Sequence, residues 1–203
     1  MPRPREFDED AALNAAMECF WSRGFAATSL RDLTGAMKVT APSLYNAFGD
    51  KEALFRRTLA HYLERGTRDR LRRLEQELPP RQAIEQFFKE IIEHSVKDRQ
   101  RKGCFLVNSA LEIAPHDEEC RALIAEQFEN IEGFFRGRVV AGQGEGSISP
   151  ELDAGDMARL LLGTLLGIRV LARTKPRGDL LEGLARPALA LLHPLHGKKK
   201  SKR

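Results

Sequence analysis

The chain is poor in the residues that most often announce chemistry. Its 203 residues include three cysteines, one tryptophan and two tyrosines. So small and odd a cysteine set excludes a disulfide framework. With no secretory leader pattern it predicts a reducing, cytoplasmic setting. Long apolar runs are missing too. The longest, Met157 to Ala172, is interrupted by Arg159 and Arg169 and is too short and too charged to span a bilayer. There is no phosphate loop: Gly142–Gly146 has no strand pattern before it and no P-loop lysine after it. With no nucleophile motif or paired catalytic groups either, the chain reads as neither an enzyme nor a cofactor carrier. Strand alternation and internal repeats are absent.

What remains is ordinary for a soluble globular protein: 42% apolar and 31% charged residues, enough to bury one large core or two modest ones. The net charge of +4 misleads as a sign of nucleic-acid binding. The tail Lys198–Arg203 supplies five positive charges, which leaves −1 for the rest. Residues 1–60 balance eight basic against eight acidic side chains. Any case for DNA therefore rests on where charges sit. Acidic residues gather at Glu6–Asp10, whereas Arg3, Arg5, Lys38 and Lys51 hold positions suited to phosphates. Arg3 and Arg5 read as a disordered arm able to reach a minor groove. The aperiodic basic tail, 194–203, reads as disordered as well.

Periodicity predicts an all-α fold of nine helices. They cover about 8–24, two short segments within 28–48, 51–78, 82–99, 104–113, 117–140, 154–173 and 179–192. Pro79-Pro80 ends the fourth helix. The glycine-rich stretch 142–150 is the clearest linker. The expected organisation is a DNA-binding domain over 1–50, a sensing and pairing domain over 51–193, and the tail. In helix eight Met157, Leu160, Leu161, Gly163, Thr164, Gly167, Ile168 and Leu171 cover more than one core-facing stripe. The surplus predicts either a central buried helix or a close approach by a second copy.

The densest information lies in Thr28–Phe55. Ser29 accepts from the N–H three residues on while Asp32 reaches back, a capping box with Asp in place of Glu. Leu30, Leu33 and Met37 share one face. Lys38-Val39 makes the turn, with Val39 as an apolar plug. Thr40 caps the next helix and Pro42 sits in its first turn, where a missing N–H costs nothing. Leu44 and Phe48 point inward, leaving Ala41, Ser43, Tyr45 and Asn46 on outward or flanking positions. Gly49-Asp50 ends this helix and caps the next, which carries Leu54 and Phe55 into the core. Two short capped helices around a tight turn are the layout of a helix-turn-helix reader of DNA.

These residues resemble the TetR family of one-component regulators. The matching motifs are Thr28–Leu33, Val39-Thr40, Leu44–Phe48 and Lys51–Phe55, and with the first helix they cover about sixty residues. Two departures stand out. Lys38 occupies a turn position usually held by glycine, which predicts a left-handed lysine. Position 42 is proline where a small residue is usual. The resemblance implies a homodimer paired through helices eight and nine (about 154–192) on a palindromic double-stranded operator. It places the helix starting at Thr40 in the major groove, with Thr40, Ala41, Pro42 and Ser43 near base edges. Tyr45, Asn46, Lys51, Thr28, Ser29 and Lys38 are then phosphate contacts. A repressor is the expected function. The alternative is a nonspecific nucleic-acid binder that works through its basic tail.

The signal that releases such a repressor is less legible. Phe87, Phe88, Ile91, Phe105 and Phe128 are candidates for a small-molecule pocket, and equally for core. Cys104 opens a helix directly after Arg99, Arg101 and Lys102, a setting that favours a thiolate. The run Gly103–Glu112 resembles a TetR subgroup whose members respond to electrophiles or oxidants through a cysteine there. Cys104 is thus a redox candidate or an inert buried residue. No metal is expected, although His116 and Cys120, four apart and with Glu119 or His94 nearby, offer a weaker metal-sensing alternative.

Overall fold

The computed structural model describes residues 8–194, so Arg3, Arg5 and Lys198–Arg203 lie outside the described residues. Among those described there are nine helices and no strand. Helix α1 is Glu9–Arg23, α2 Leu30–Met37 and α3 Ala41–Phe48. Helix α4 (51–77) runs as Lys51–Tyr62, a π-helical stretch Leu63–Arg68, and Asp69–Glu77. Then follow α5 Pro80–Lys97, α6 Phe105–Glu112, α7 Glu118–Gly144, α8 Ala154–Thr174 and α9 Gly178–Leu191.

Three elements depart from the sequence reading. The π stretch within α4 was not foreseen. It falls where Leu63 and Leu71 are separated by seven residues without an apolar side chain, Gly66 and Thr67 among them, so no apolar stripe runs through it to enforce the regular turn. Helix α5 begins two residues early, with Pro80 in its first turn, because a missing N–H is harmless there. Helix α7 continues through Gly144, into the stretch expected to be a linker. The N–H groups of Ser147 and Ile148 donate back to the Gly142 carbonyl at 2.9 and 3.0 Å, and Ile148 is wholly buried. An apolar residue in mid-loop thus folds the chain back on its own helix.

The described chain forms two compact units, 8–69 with 102–127 and 70–101 with 128–194. In the first, aromatic rings build the core. Phe20, Phe25 and Phe55 meet one another at 5.0–6.0 Å between centroids. Phe105 of α6 stands edge-on to Phe55 at 5.4 Å and to Tyr62 at 5.6 Å. Each fully buried ring contributes about 2–3 kcal/mol. In the second unit Phe87, Phe88, Phe134 and Phe135 form a similar cluster. There Arg169 is accommodated in an apolar helix because its guanidinium donates to the Ser95 hydroxyl at 3.2 Å.

Candidate nucleic-acid interface

The interface is built from α2, the turn and α3. At the start of α2 the Ser29 hydroxyl accepts from the Asp32 N–H at 3.1 Å, and the Asp32 carboxylate accepts from the Ser29 N–H at 3.0 Å. The capping box is therefore complete. Bonds from Ser29 and from Arg23, 2.5 Å away, hold the Asp32 carboxyl down at about 2. Leu33 and Met37 bury the inner face of α2, while Arg31 is exposed in its first turn.

The turn is made by Lys38 at φ 56°, ψ 39°, the left-handed conformation expected of it. Its N–H donates to the Thr34 carbonyl and closes the helix. The side chain is exposed. Thr40 then caps α3 by accepting from the Ser43 N–H at 3.3 Å, and its hydroxyl also meets that of Ser43 at 2.9 Å. Leu44 and Phe48 are buried. Ala41, Pro42, Ser43, Tyr45 and Asn46 are exposed, Tyr45 by 48%. Helix α3 thus anchors one face and presents the other.

Two expected contacts sit differently. Thr28 is 1% exposed, and its hydroxyl donates to the Gly24 carbonyl at 2.6 Å, so its side chain serves the core rather than a phosphate. The α2 N-terminus, expected to attract a phosphate through Ser29, already holds the Asp32 carboxylate. Lys51 rests its ammonium 4.3 Å from the centre of the Phe25 ring, which ties the start of α4 to the loop between α1 and α2.

Sequence reasoning missed Arg57. Its guanidinium donates to the Ala47 carbonyl at 3.0 Å, lies 4.8 Å from the Phe48 ring centre and pairs with Glu9. It thereby holds the C-terminal end of α3 against α1. Nothing in local spacing marks it, since all three partners come from other helices.

The effector candidates are divided between the two units. Cys104 stands at the cap position of α6, buried at 8% exposure, with its sulfur 3.8 Å from the Tyr62 hydroxyl. Of the neighbouring cations, Lys102 is committed to Glu18 at 2.7 Å and to the face of Trp21, and Arg99 and Arg101 are exposed. An open cavity of about 570 Å³ lies between α5 and α9. Of the five pocket candidates Phe88 alone lines it, beside Ile92, Ala185 and Leu189. Phe87 and Ile91 are packed core, Phe128 is half-buried, and Phe105 belongs to the other unit's aromatic cluster. His116 is exposed, whereas Cys120 is fully buried and burial pushes its thiol up to about 12. Among the described residues no three His, Cys, Asp or Glu side chains converge as a metal set. Nor is any described helix long and apolar enough to cross a membrane.

On alignment, residues 12–58 match the model for bacterial regulatory proteins of the tetR family. Residues 80–186 match the tetracyclin repressor-like C-terminal domain. The chain is 30% identical to YezE of Bacillus subtilis, an uncharacterised HTH-type transcriptional regulator, over 95% of this chain and 100% of that one. It is 31% identical to the HTH-type transcriptional repressor ComR of Escherichia coli, covering 84% and 82%. Among solved structures it resembles a cysteine-substituted form of the regulator CifR bound to 26-base-pair operator DNA. That similarity has TM-score 0.82 and 34% identity, over 93% of this chain and 98% of that one.

Proposed function

Because this chain belongs to the tetR family of bacterial regulatory proteins, we propose that it is a cytoplasmic, homodimeric repressor that reads a palindromic operator and catalyses no reaction. The observation that carries this reading is α3. Leu44 and Phe48 lock its inner face, and the capping Thr40 with Ala41, Pro42, Ser43, Tyr45 and Asn46 is exposed on the outer one. The hydroxyls of Thr40 and Ser43 and the apolar surface of Ala41 and Pro42 suit base edges and thymine methyls in a major groove. Lys38, Tyr45 and Asn46, with the exposed Arg31, flank them as phosphate contacts, which position the helix without reading sequence. ComR is named a repressor, and CifR was solved on its operator, which supports carrying the same activity to this chain.

One such helix reads few bases, so a two-fold pair is needed to supply the second half-site one helical turn away, or a multiple of it. We assign residues up to 50 to reading DNA and 51–193 to sensing and pairing, with α8 and α9 forming the contact between copies. Release follows a small molecule or modification of a thiol, with Cys104 as the candidate, since it alone of the three cysteines stands at a helix N-cap.

The test is selection from genomic fragments with the purified protein, before and after a mild electrophile. A palindrome is expected, with Tyr45→Ala weakening binding by roughly tenfold, the loss of about 1–2 kcal/mol typical of a contact group. Release by the electrophile in the wild type and not in Cys104→Ser assigns the trigger to that thiol. Enrichment of no sequence overturns the repressor reading.

A further inference from the structure

We infer that Glu112 is a positioning residue: its carboxylate grips the loop between α1 and α2 and sets operator affinity from a place that touches no DNA. The inference rests on the repressor reading above. Helix α6 is only eight residues long, about 12 Å, and both of its ends are tied to α1 or the loop that follows it. Ahead of its start, the Lys102 ammonium reaches Glu18 at 2.7 Å and lies on the Trp21 ring, while the Asn108 amide of α6 donates to the Lys102 carbonyl at 2.8 Å. At its end, Glu112 accepts the Ala26 N–H at 3.0 Å.

The loop is shaped for that second tie. Gly24 takes φ +84°, and a Cβ there would stand 2.9 Å from both carboxylate oxygens of Glu112. Glycine therefore serves twice, through its backbone conformation and through the space it leaves. Two residues beyond Ala26, the Thr28 hydroxyl fixes the chain onto Gly24, and the next residue, Ser29, opens the capping box of α2. The route from Glu112 to α2 is thus Ala26, Thr28 and Ser29, each held by a named bond. Glu112 is exposed, and a hydrogen bond open to water adds little to global stability. What it supplies is orientation: it decides where α2, and α3 behind it, stand relative to α6. The end of α6 opposite Glu112 is where Cys104 meets the Tyr62 hydroxyl, so a shift of this short rod at that end reaches Ala26 directly.

The experiment compares the full-length wild type, Glu112→Ala and Glu112→Gln. It measures affinity for the palindrome that the wild type selects, thermal unfolding, and hydrogen exchange at the Ala26 amide. Glutamine keeps an acceptor oxygen and alanine does not. The expected result is unchanged melting in all three, faster Ala26 exchange in Glu112→Ala, and an operator affinity roughly three- to thirtyfold weaker in that variant alone. Restoration by glutamine separates positioning from a mere loss of packing. Equal affinity of Glu112→Ala and wild type, or a loss that glutamine does not restore, overturns the inference. If the wild type selects no palindrome, the repressor reading is what fails. Exchange at Ala26 then decides the grip alone, and a rate unchanged in Glu112→Ala overturns it.

Discussion

Asp32 shows how one side chain can serve several neighbours. It completes the α2 cap with Ser29 and receives Arg23, and these bonds hold its carboxyl at about 2 against an ordinary value of 3.8. A carboxyl whose folded pKa is depressed adds stability above its unfolded pKa and loses that share as pH falls through the folded one. In chemical denaturation, the stability gap between wild type and Asp32→Asn should therefore be full above about pH 4 and shrink towards pH 2. A gap constant across that window would show that the carboxylate charge contributes nothing. The Ser29–Asp32 half of this arrangement was legible from a three-residue spacing. The Arg23 half was not, because that partner arrives from α1. Lys38 is similar: the resemblance implies a left-handed residue at a turn position where the family usually has glycine, and the lysine adopts it at φ 56°. Thr28 went the other way. Its position before α2 suggested a surface hydroxyl, and packing against α1 turned it inward.

Among the helices, α4 has the ends and the buried leucines that its periodicity predicts, and one stretch that periodicity does not. Its buried leucines at 54, 59, 63, 71 and 74 are all core residues, yet the gap after Leu63 relaxes into a π-helical stretch. Gly66 lies within it, with nothing within 4 Å of where a Cβ would sit. Gly66→Ala is therefore expected to raise unfolding stability by about 0.5–1 kcal/mol, chiefly by restricting the unfolded chain. A fall on urea denaturation would mean that the π stretch depends on glycine. Helix α6 carries a different lesson. The run Gly103–Glu112 drew attention to its cysteine, whereas the structure shows contacts to α1 or the α1–α2 loop at both ends. Those partners lie 84 and 86 residues away in sequence, beyond the reach of any local pattern.

For the assembled protein the informative surface is on α8 and α9. Leu160 and Val170 are 44% and 46% exposed, Leu184 36% and Leu191 51%, and the Cβ positions of Gly163, Gly167 and Gly183 face open space within the protomer. Small residues beside exposed apolar ones are what a second helix needs for close approach. Gly163→Arg should leave each protomer folded, since nothing in it is crowded, and move sedimentation from dimer to monomer. It should also abolish cooperative binding to both half-sites. A dimer that survives the substitution would place the contact elsewhere. The helical class, the helix-turn-helix and the outward face of α3 were already written in local order, because capping, turn chemistry and 3.6-residue periodicity act over fewer than ten residues. The grips of Arg57 on Ala47 and Glu112 on Ala26, the burial of Thr28 and Cys104, and the membership of Phe105 and Phe87 in different aromatic clusters depend on which helices meet. That meeting is fixed by packing between segments far apart in the chain, which no short window of sequence contains.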